Sequence, residues 1–126
     1  MSEIEKMYEN AGIKEGCTLP NLCRYKGICA KPVNCEHYDY PFFTAEKQLE
    51  LIKWLGKNKN GFNVFYDTSF NSKEKQYWCC ADQWYEDFNY CCHKTEFDEA
   101  LAELVNTLWQ DLTEQERTEI AEILKG

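Results

Sequence analysis

The chain has 126 residues and a formal net charge of −8, and its length is typical of a single domain. Residues 1–60 hold nine Lys and Arg against eight Asp and Glu, whereas residues 61–126 hold five against fourteen. The acidic second half repels phosphate backbones, so nonspecific nucleic-acid binding is not expected there. The acidic, polar N-terminus and the lack of long apolar runs predict neither a signal peptide nor a membrane span, which favours the cytoplasm.

A short helix is expected at the N-terminus, capped by Ser2 and stopped by Gly12. Its apolar residues recur at i, i+3, i+4 and i+7, which gives it a narrow buried stripe. These residues are Ile4, Met7, Tyr8 and Ala11. Such a short helix must dock on another element to be stable.

Residues 13–43 contain all three prolines and show no helical or alternating period, so they are predicted to form a loop. A loop of about thirty residues inside one domain needs something to order it. Four cysteines at six-residue intervals offer the ligand number of a structural zinc site, with His37 as a substitute ligand. The cysteines are Cys17, Cys23, Cys29 and Cys35. In a reducing compartment this favours a zinc-knuckle-like loop, with two disulfides or unligated thiols as the alternatives.

The next helix is predicted over Ala45–Lys57, with Thr44 as its N-cap and Gly56 or Asn58 at its end. Its apolar stripe is wide enough to indicate a core-facing helix. The stripe consists of Leu49, Leu51, Ile52, Trp54 and Leu55. Phe42 and Phe43 are expected to pack on the first turn.

Three strands are predicted after this helix, at residues 62–67, 76–81 and 88–93, with residues 82–87 as a turn or loop. Short links between them favour an antiparallel arrangement. The sequence therefore predicts a small three-stranded sheet that is covered by the helices.

Two helices are predicted to end the chain. The first has Thr95 as its cap with Asp98 at N3, and its buried face extends to Leu112. That face consists of Phe97, Leu101, Leu104, Val105, Leu108 and Leu112. The second begins with a capping box at Thr113 and Glu116, and it turns Ile120, Ile123 and Leu124 inward. Together these elements predict one α+β domain over residues 1–126, with the short helix and zinc loop in 1–43 and the other helices and strands in 44–126.

The segments Phe43–Leu55 and Thr95–Leu112 resemble small uncharacterised proteins of bacteriophages and prophages in Gram-positive bacteria. The helix–strands–helix order also looks like the α/β/α phage sandwich family. This resemblance covers residues 43–112 and rests on packing residues and cap signals. It implies a phage origin and no particular activity, and the cysteine-rich segment is not part of the family pattern.

A second set of cysteines lies on the predicted strands as two adjacent pairs, Cys79-Cys80 and Cys91-Cys92. Neighbouring residues of a strand point to opposite faces, so each pair offers one thiol to each face of the sheet. If the strands are neighbours, thiols from the two pairs can meet on one face. The alternatives are ordinary core packing, a disulfide, or a metal site that includes His93.

Catalytic motifs are not found: the sequence has no phosphate-binding glycine loop, no nucleophile elbow and no H-E-x-x-H. We therefore expect a binding protein rather than an enzyme, in which aromatic and acidic side chains contact a basic partner. The candidate binding residues are Trp78, Trp84, Tyr85, Glu86 and Asp87. The phage resemblance makes inhibition of a host defence nuclease, as by an anti-CRISPR protein, the expected biological role.

The alternative function is a zinc-knuckle protein that binds nucleic acid through the front of the chain. Four basic residues are expected to form a modest patch there, Lys14, Arg24, Lys26 and Lys31, and nearby tyrosines offer faces on which bases can stack.

Overall fold

A computed structural model of the chain describes residues 2–17, 38–59, 61–67, 76–84 and 87–126. The described elements are, in chain order, α1 Glu3–Asn10, β1 Gly16–Cys17, β2 Tyr38–Asp39, α2 Ala45–Asn58, β3 Phe62–Asp67, β4 Gln76–Trp84, β5 Asp87–Lys94, α3 Phe97–Leu108 and α4 Glu114–Lys125. They confirm the predicted α+β class, with a three-stranded antiparallel sheet packed by helices. Of the predicted zinc-knuckle-like loop over residues 13–43, the part from residue 18 to residue 37, with three of its four cysteines, lies outside the described residues.

The main sheet has the strand order β3-β4-β5, so β4 lies in the centre and β3 and β5 lie at its edges. The prediction of a turn or loop over residues 82–87 was wrong for residues 82–84 and for Asp87, because β4 continues to Trp84 and β5 starts at Asp87, while residues 85 and 86 lie outside the described residues. Trp84 lies opposite Asp87 in the pairing register. Backbone pairing with the neighbouring strand therefore continues to Trp84, three residues beyond the predicted end of the strand.

Helix α3 is the centre of the core, since β4, β5 and α1 all pack against it. Its buried side chains lie on more than one stripe, as expected for a helix with neighbours on two sides. They are Ala100, Leu101, Ala102, Leu104, Val105 and Leu108. The sequence predicts a core position only for the larger residues of this set. The two alanines complete the buried surface that the flanking layers contact.

Helix α1 docks on α3 with both apolar and polar contacts. Its N-cap forms as predicted, with Ser2 Oγ accepting from the Glu5 N–H at 3.1 Å. The Glu3 N–H donates to Glu99 Oε2 at 2.9 Å, and Asn106 Nδ2 donates to the Glu3 carbonyl oxygen at 2.9 Å. Since Tyr8 is also fully buried in the shared core, this short helix is held by tertiary contacts rather than by its own length.

Helix α2 begins at its predicted cap, where Thr44 Oγ1 accepts from the Lys47 N–H at 3.3 Å. Two apolar residues assigned to buried positions are instead exposed: Leu49 retains 51% of its side-chain exposure and Phe42 68%. The buried residues of α2 form a narrower stripe, Leu51, Trp54 and Leu55, and the helix contacts α4 and β3.

The ends of α3 also differ from the prediction. The N-cap is Glu96, not Thr95, and it makes no side-chain cap hydrogen bond. The helix does not run on to Leu112 either, because a 3-10 turn over Trp109–Asp111 follows Leu108. Arg117 of α4 donates from Nε and Nη2 to the Trp109 carbonyl oxygen, at 3.1 and 2.9 Å, and so satisfies an acceptor at this helix end.

Residues 13–43 are not entirely loop, because they include the two short strands β1 and β2. Gly16 lies opposite Asp39, and Cys17 lies opposite Tyr38, in an antiparallel pair. The two ends of the segment 18–37 are therefore held next to each other by backbone pairing.

The predicted capping box of α4 is confirmed on both sides. The Glu116 N–H donates to Thr113 Oγ1 at 3.1 Å, and the Thr113 N–H donates to Glu116 Oε1 at 2.9 Å. The Thr113 N–H, together with the Lys59 ammonium 3.3 Å from Glu116 Oε2, lowers the pKa of the Glu116 carboxyl despite some desolvation.

Replacing Glu116 with glutamine is expected to lower the free energy of unfolding by about 0.5–1 kcal/mol at pH 7. A carboxyl whose pKa is lower when folded than when unfolded stabilises the fold above its unfolded pKa, and this stabilisation is lost as the pH falls through the folded value. The difference between wild type and Glu116→Gln in urea unfolding should therefore shrink below about pH 4. Glu122→Gln, on the same helix with an exposed carboxylate, is the control. A difference that stays constant down to pH 3 would contradict the assignment.

Candidate functional site: the outer face of the sheet

The two faces of the main sheet have different surroundings. On the inner face, Cys79, Ala81 and Cys92 lie in the core cluster with the side chains of α3. The opposite side, here called the outer face, carries the alternate residues of the same strands. Its described side chains are Asn63, Phe65, Gln76, Trp78, Cys80, Cys91 and His93. None of these described side chains is a lysine, an arginine or a carboxylate.

An aromatic row crosses the outer face from edge to edge. It consists of Phe65, Trp78 and His93, which lie directly opposite one another on β3, β4 and β5. The rings of Phe65 and Trp78 stack with centroids 5.9 Å apart and planes 7° from parallel. Trp78 and His93 have centroids 4.4 Å apart. His93 Nδ1 also makes a hydrogen bond with Gln76 Oε1, which fixes the orientation of the imidazole.

The four strand cysteines form two cross-strand pairs, one on each face of the sheet. Cys79 lies opposite Cys92 on the inner face, and Cys80 lies opposite Cys91 on the outer face. The Cys80 and Cys91 sulfurs are 2.7 Å apart. The predicted meeting of thiols from the two pairs is therefore present on the outer face. None of these four cysteines is joined in a disulfide in the structure.

These thiols differ sharply in their access to solvent. Cys79 is 0% and Cys80 1% exposed, whereas Cys91 is exposed. Burial raises the pKa of both Cys79 and Cys80 to about 12. Burial also raises the pKa of Cys92, against the opposing effect of Thr107 Oγ1 at 3.4 Å. Of the four, Cys91 is the thiol that a solute can reach.

Strand β3 is an edge strand whose side chains are exposed on both faces of the sheet. Phe65 on the outer face retains 48% of its exposure, while Val64 and Tyr66 on the other face retain 40% and 44%. The sequence of β3 contains neither lysine nor proline, the residues that commonly block an edge. Helix α3 packs on β4 and β5. Because α3 does not extend over β3, the side chains of that strand remain exposed.

The structure describes few of the residues that the sequence singled out as a metal or binding site. Cys23, Cys29, Cys35 and His37 lie outside the described residues, and only the backbone of Cys17 is described. Tyr85 and Glu86 also lie outside them, as do the basic residues Arg24, Lys26 and Lys31. Trp84 and Asp87 are placed by their backbones, opposite each other in the pairing of β4 with β5.

Of the predicted binding residues, Trp78 is thus the one whose side chain is placed, and it forms the centre of the aromatic row. Sequence reasoning missed Phe65 as a candidate surface residue and did not include Tyr66 among the predicted binding residues, because an aromatic strand residue gives no sign of whether its strand lies at an edge. The absence of lysine and proline from the strand was the available signal.

Within the described residues, no group of three or more His, Cys, Asp or Glu side chains is arranged to hold a metal ion. Among the described helices, none is both long enough and apolar enough to cross a membrane.

Compared with protein-family models, with curated proteins and with solved structures, the chain matches none of them. The function therefore has to be argued from the residues of this chain.

Proposed function

We propose that this chain is a non-catalytic binding protein, which takes up a basic segment of a partner protein along the β3 edge of its sheet. The observation that carries the proposal is the run Val64, Phe65 and Tyr66, three consecutive residues exposed on both faces of an edge strand. An extended segment can add to such an edge by main-chain hydrogen bonds, and exposed side chains on each face then determine specificity.

The aromatic side chains favour protein recognition at this edge. Phe65 is already stacked on Trp78, and Tyr66 packs on Tyr77 with centroids 4.8 Å apart. Rings held by neighbours lose little conformational freedom when a partner covers them, which favours their use as binding anchors. The net charge of −8 favours a basic partner and speeds its approach.

The narrower form of the proposal places the partner in a host cell infected by a phage. An acidic protein that covers a basic nucleic-acid groove would inhibit a host defence nuclease, as anti-CRISPR proteins do. This setting rests on the resemblance of residues 43–112 to phage proteins, and it implies action in the host cytoplasm. A structural zinc at Cys17, Cys23, Cys29 and Cys35, with His37 as a substitute, remains part of the proposal on sequence grounds.

An inhibition assay tests this function. The protein would be titrated into a panel of purified, guide-loaded CRISPR nucleases that cleave labelled DNA. We expect stoichiometric inhibition of at least one nuclease. We expect Val64→Lys to weaken the inhibition by more than about tenfold, because the lysine adds a positive charge next to a basic partner and removes the apolar contact that Val64 would make in the complex. Leu49→Lys is the matched control, since Leu49 is a similarly exposed apolar residue on α2.

Two results would contradict the proposal at different levels. If no nuclease of the panel is inhibited, the defence-nuclease role fails. If Val64→Lys inhibits as well as wild type, the β3 edge is not the binding surface. A gel shift at two salt concentrations tests the alternative function, because a nucleic-acid binder must show an affinity that falls with salt.

A further inference from the structure

The outer face holds a pair of thiols that the proposed binding function does not use. We propose that Cys80 and Cys91 form a reversible disulfide between β4 and β5, made by thiol–disulfide exchange at the exposed Cys91 with a low-molecular-weight disulfide such as oxidised glutathione.

The backbone geometry of the sheet suits this bond. Cys80 and Cys91 lie directly opposite each other in an antiparallel pair. Opposite residues in such a pair have Cα atoms about 4.5–5.5 Å apart, inside the range of about 4.4–6.8 Å that disulfides require. The two sulfurs are 2.7 Å apart, so they need to move by less than an ångström to reach bonding distance. Neither strand has to shift its register.

Access to solvent decides which sulfur reacts first. Cys91 is exposed, so its thiolate can attack a small disulfide, whereas Cys80, opposite it on β4, is 1% exposed. Burial raises the pKa of Cys80 to about 12, which keeps that thiol protonated and unreactive toward solutes. The roles of attacking and resolving thiol are thereby divided between the two residues.

The exchange proceeds in two balanced steps. The Cys91 thiolate attacks one sulfur of oxidised glutathione, so that a Cys91–glutathione bond forms, the glutathione disulfide breaks and one glutathione thiolate leaves. Cys80 then gives up its proton to the solvent or to that thiolate and attacks the Cys91 sulfur. The second glutathione leaves as a thiolate. Two protein thiols are oxidised, and one glutathione disulfide is reduced to two thiols.

The inner pair provides a contrast within the same two strands. Cys79 and Cys92 are also directly opposite, but they are 0% and 5% exposed beneath α3. Backbone register alone would therefore permit two disulfides, while solvent access selects one. The inner pair is expected to stay reduced under conditions that oxidise the outer pair.

A peptide-level experiment on the full chain separates these thiols from the cysteines of the front segment. Trypsin releases residues 76–94 as one peptide, which contains only the four strand cysteines. The reduced, folded protein would be treated with oxidised glutathione, unfolded, alkylated at its remaining thiols and digested. We expect this peptide to carry two alkyl groups and to lack two hydrogens, and to carry four alkyl groups after a reductant has been added.

Three variants assign the bond. Cys80→Ser should trap one glutathione on the peptide, because the resolving thiol is gone. Cys91→Ser should leave three alkylated cysteines and no crosslink, and as an exposed position it should not disturb folding. Cys92→Ser should still form the crosslink. A wild-type peptide with four alkyl groups after oxidation, or a crosslink that persists in Cys91→Ser, would overturn the proposal.

Discussion

Replacing Leu104 with alanine is expected to lower the free energy of unfolding by about 3 kcal/mol, measured by urea denaturation. Leu104 is fully buried on α3, the helix against which α1 and two strands pack. The substitution removes apolar area and leaves a cavity that the surrounding layers cannot fill without moving. For a domain whose total stability is about 5–15 kcal/mol, this is a large fraction.

The same substitution at Leu49 on α2 is the matched control. Leu49 retains 51% of its exposure, so Leu49→Ala should change the stability by no more than about 0.5 kcal/mol. If Leu104→Ala and Leu49→Ala have similar effects, α3 is not the centre of the core. Because the two residues have the same side chain, differences in helix propensity cannot account for the expected contrast.

Removing the proposed zinc is expected to have the second large effect, because structural zinc contributes on the order of 10 kcal/mol of binding free energy. Native mass spectrometry should show one zinc per chain, which a chelator removes. Cys23→Ser should lose the metal, whereas Cys91→Ser, which lies outside the proposed ligand set, should retain it. A native mass equal to that of the bare reduced chain would contradict the zinc prediction, and a mass lower by two or four hydrogens would indicate disulfides.

The fold limits how far the effect of zinc removal should spread. Helix α1 precedes the cysteine segment, but it is docked on α3 by hydrogen bonds from Glu3 and Asn106 and by the buried Tyr8. Hydrogen exchange after chelation should therefore increase in residues 18–37 while α1 remains protected. Loss of protection in α1 together with the cysteine segment would show that the metal stabilises the whole front of the chain.

Local signals were sufficient to predict most helices and strands. Ser2, Thr44 and Thr113 each cap a helix as predicted, because a side-chain oxygen and a nearby backbone N–H need only adjacent residues to meet. Strand β3 has its predicted bounds, Phe62–Asp67. Errors occurred where tertiary contacts decide the outcome, as at the end of α3, where Arg117 binds the Trp109 carbonyl oxygen.

Predicting the candidate site required more of the tertiary structure than predicting the helices and strands did. The two adjacent cysteine pairs could be recognised in the sequence, and they suggested that thiols meet on a face of the sheet. Which thiols meet was decided by the register, in which Trp84 lies opposite Asp87 and so places Cys80 opposite Cys91. A register shift of one residue would have turned every side chain to the other face.

By itself, the sequence determined the α+β class, the N-caps of α1, α2 and α4 and the presence of thiols on both faces of the strands, because these follow from neighbours along the chain. The tertiary structure decided that β3 lies at an edge beyond the cover of α3, and that Cys91 is open to solvent while Cys80 is buried. Strand order and solvent access depend on contacts between residues far apart in sequence, and local periodicity carries no information about them.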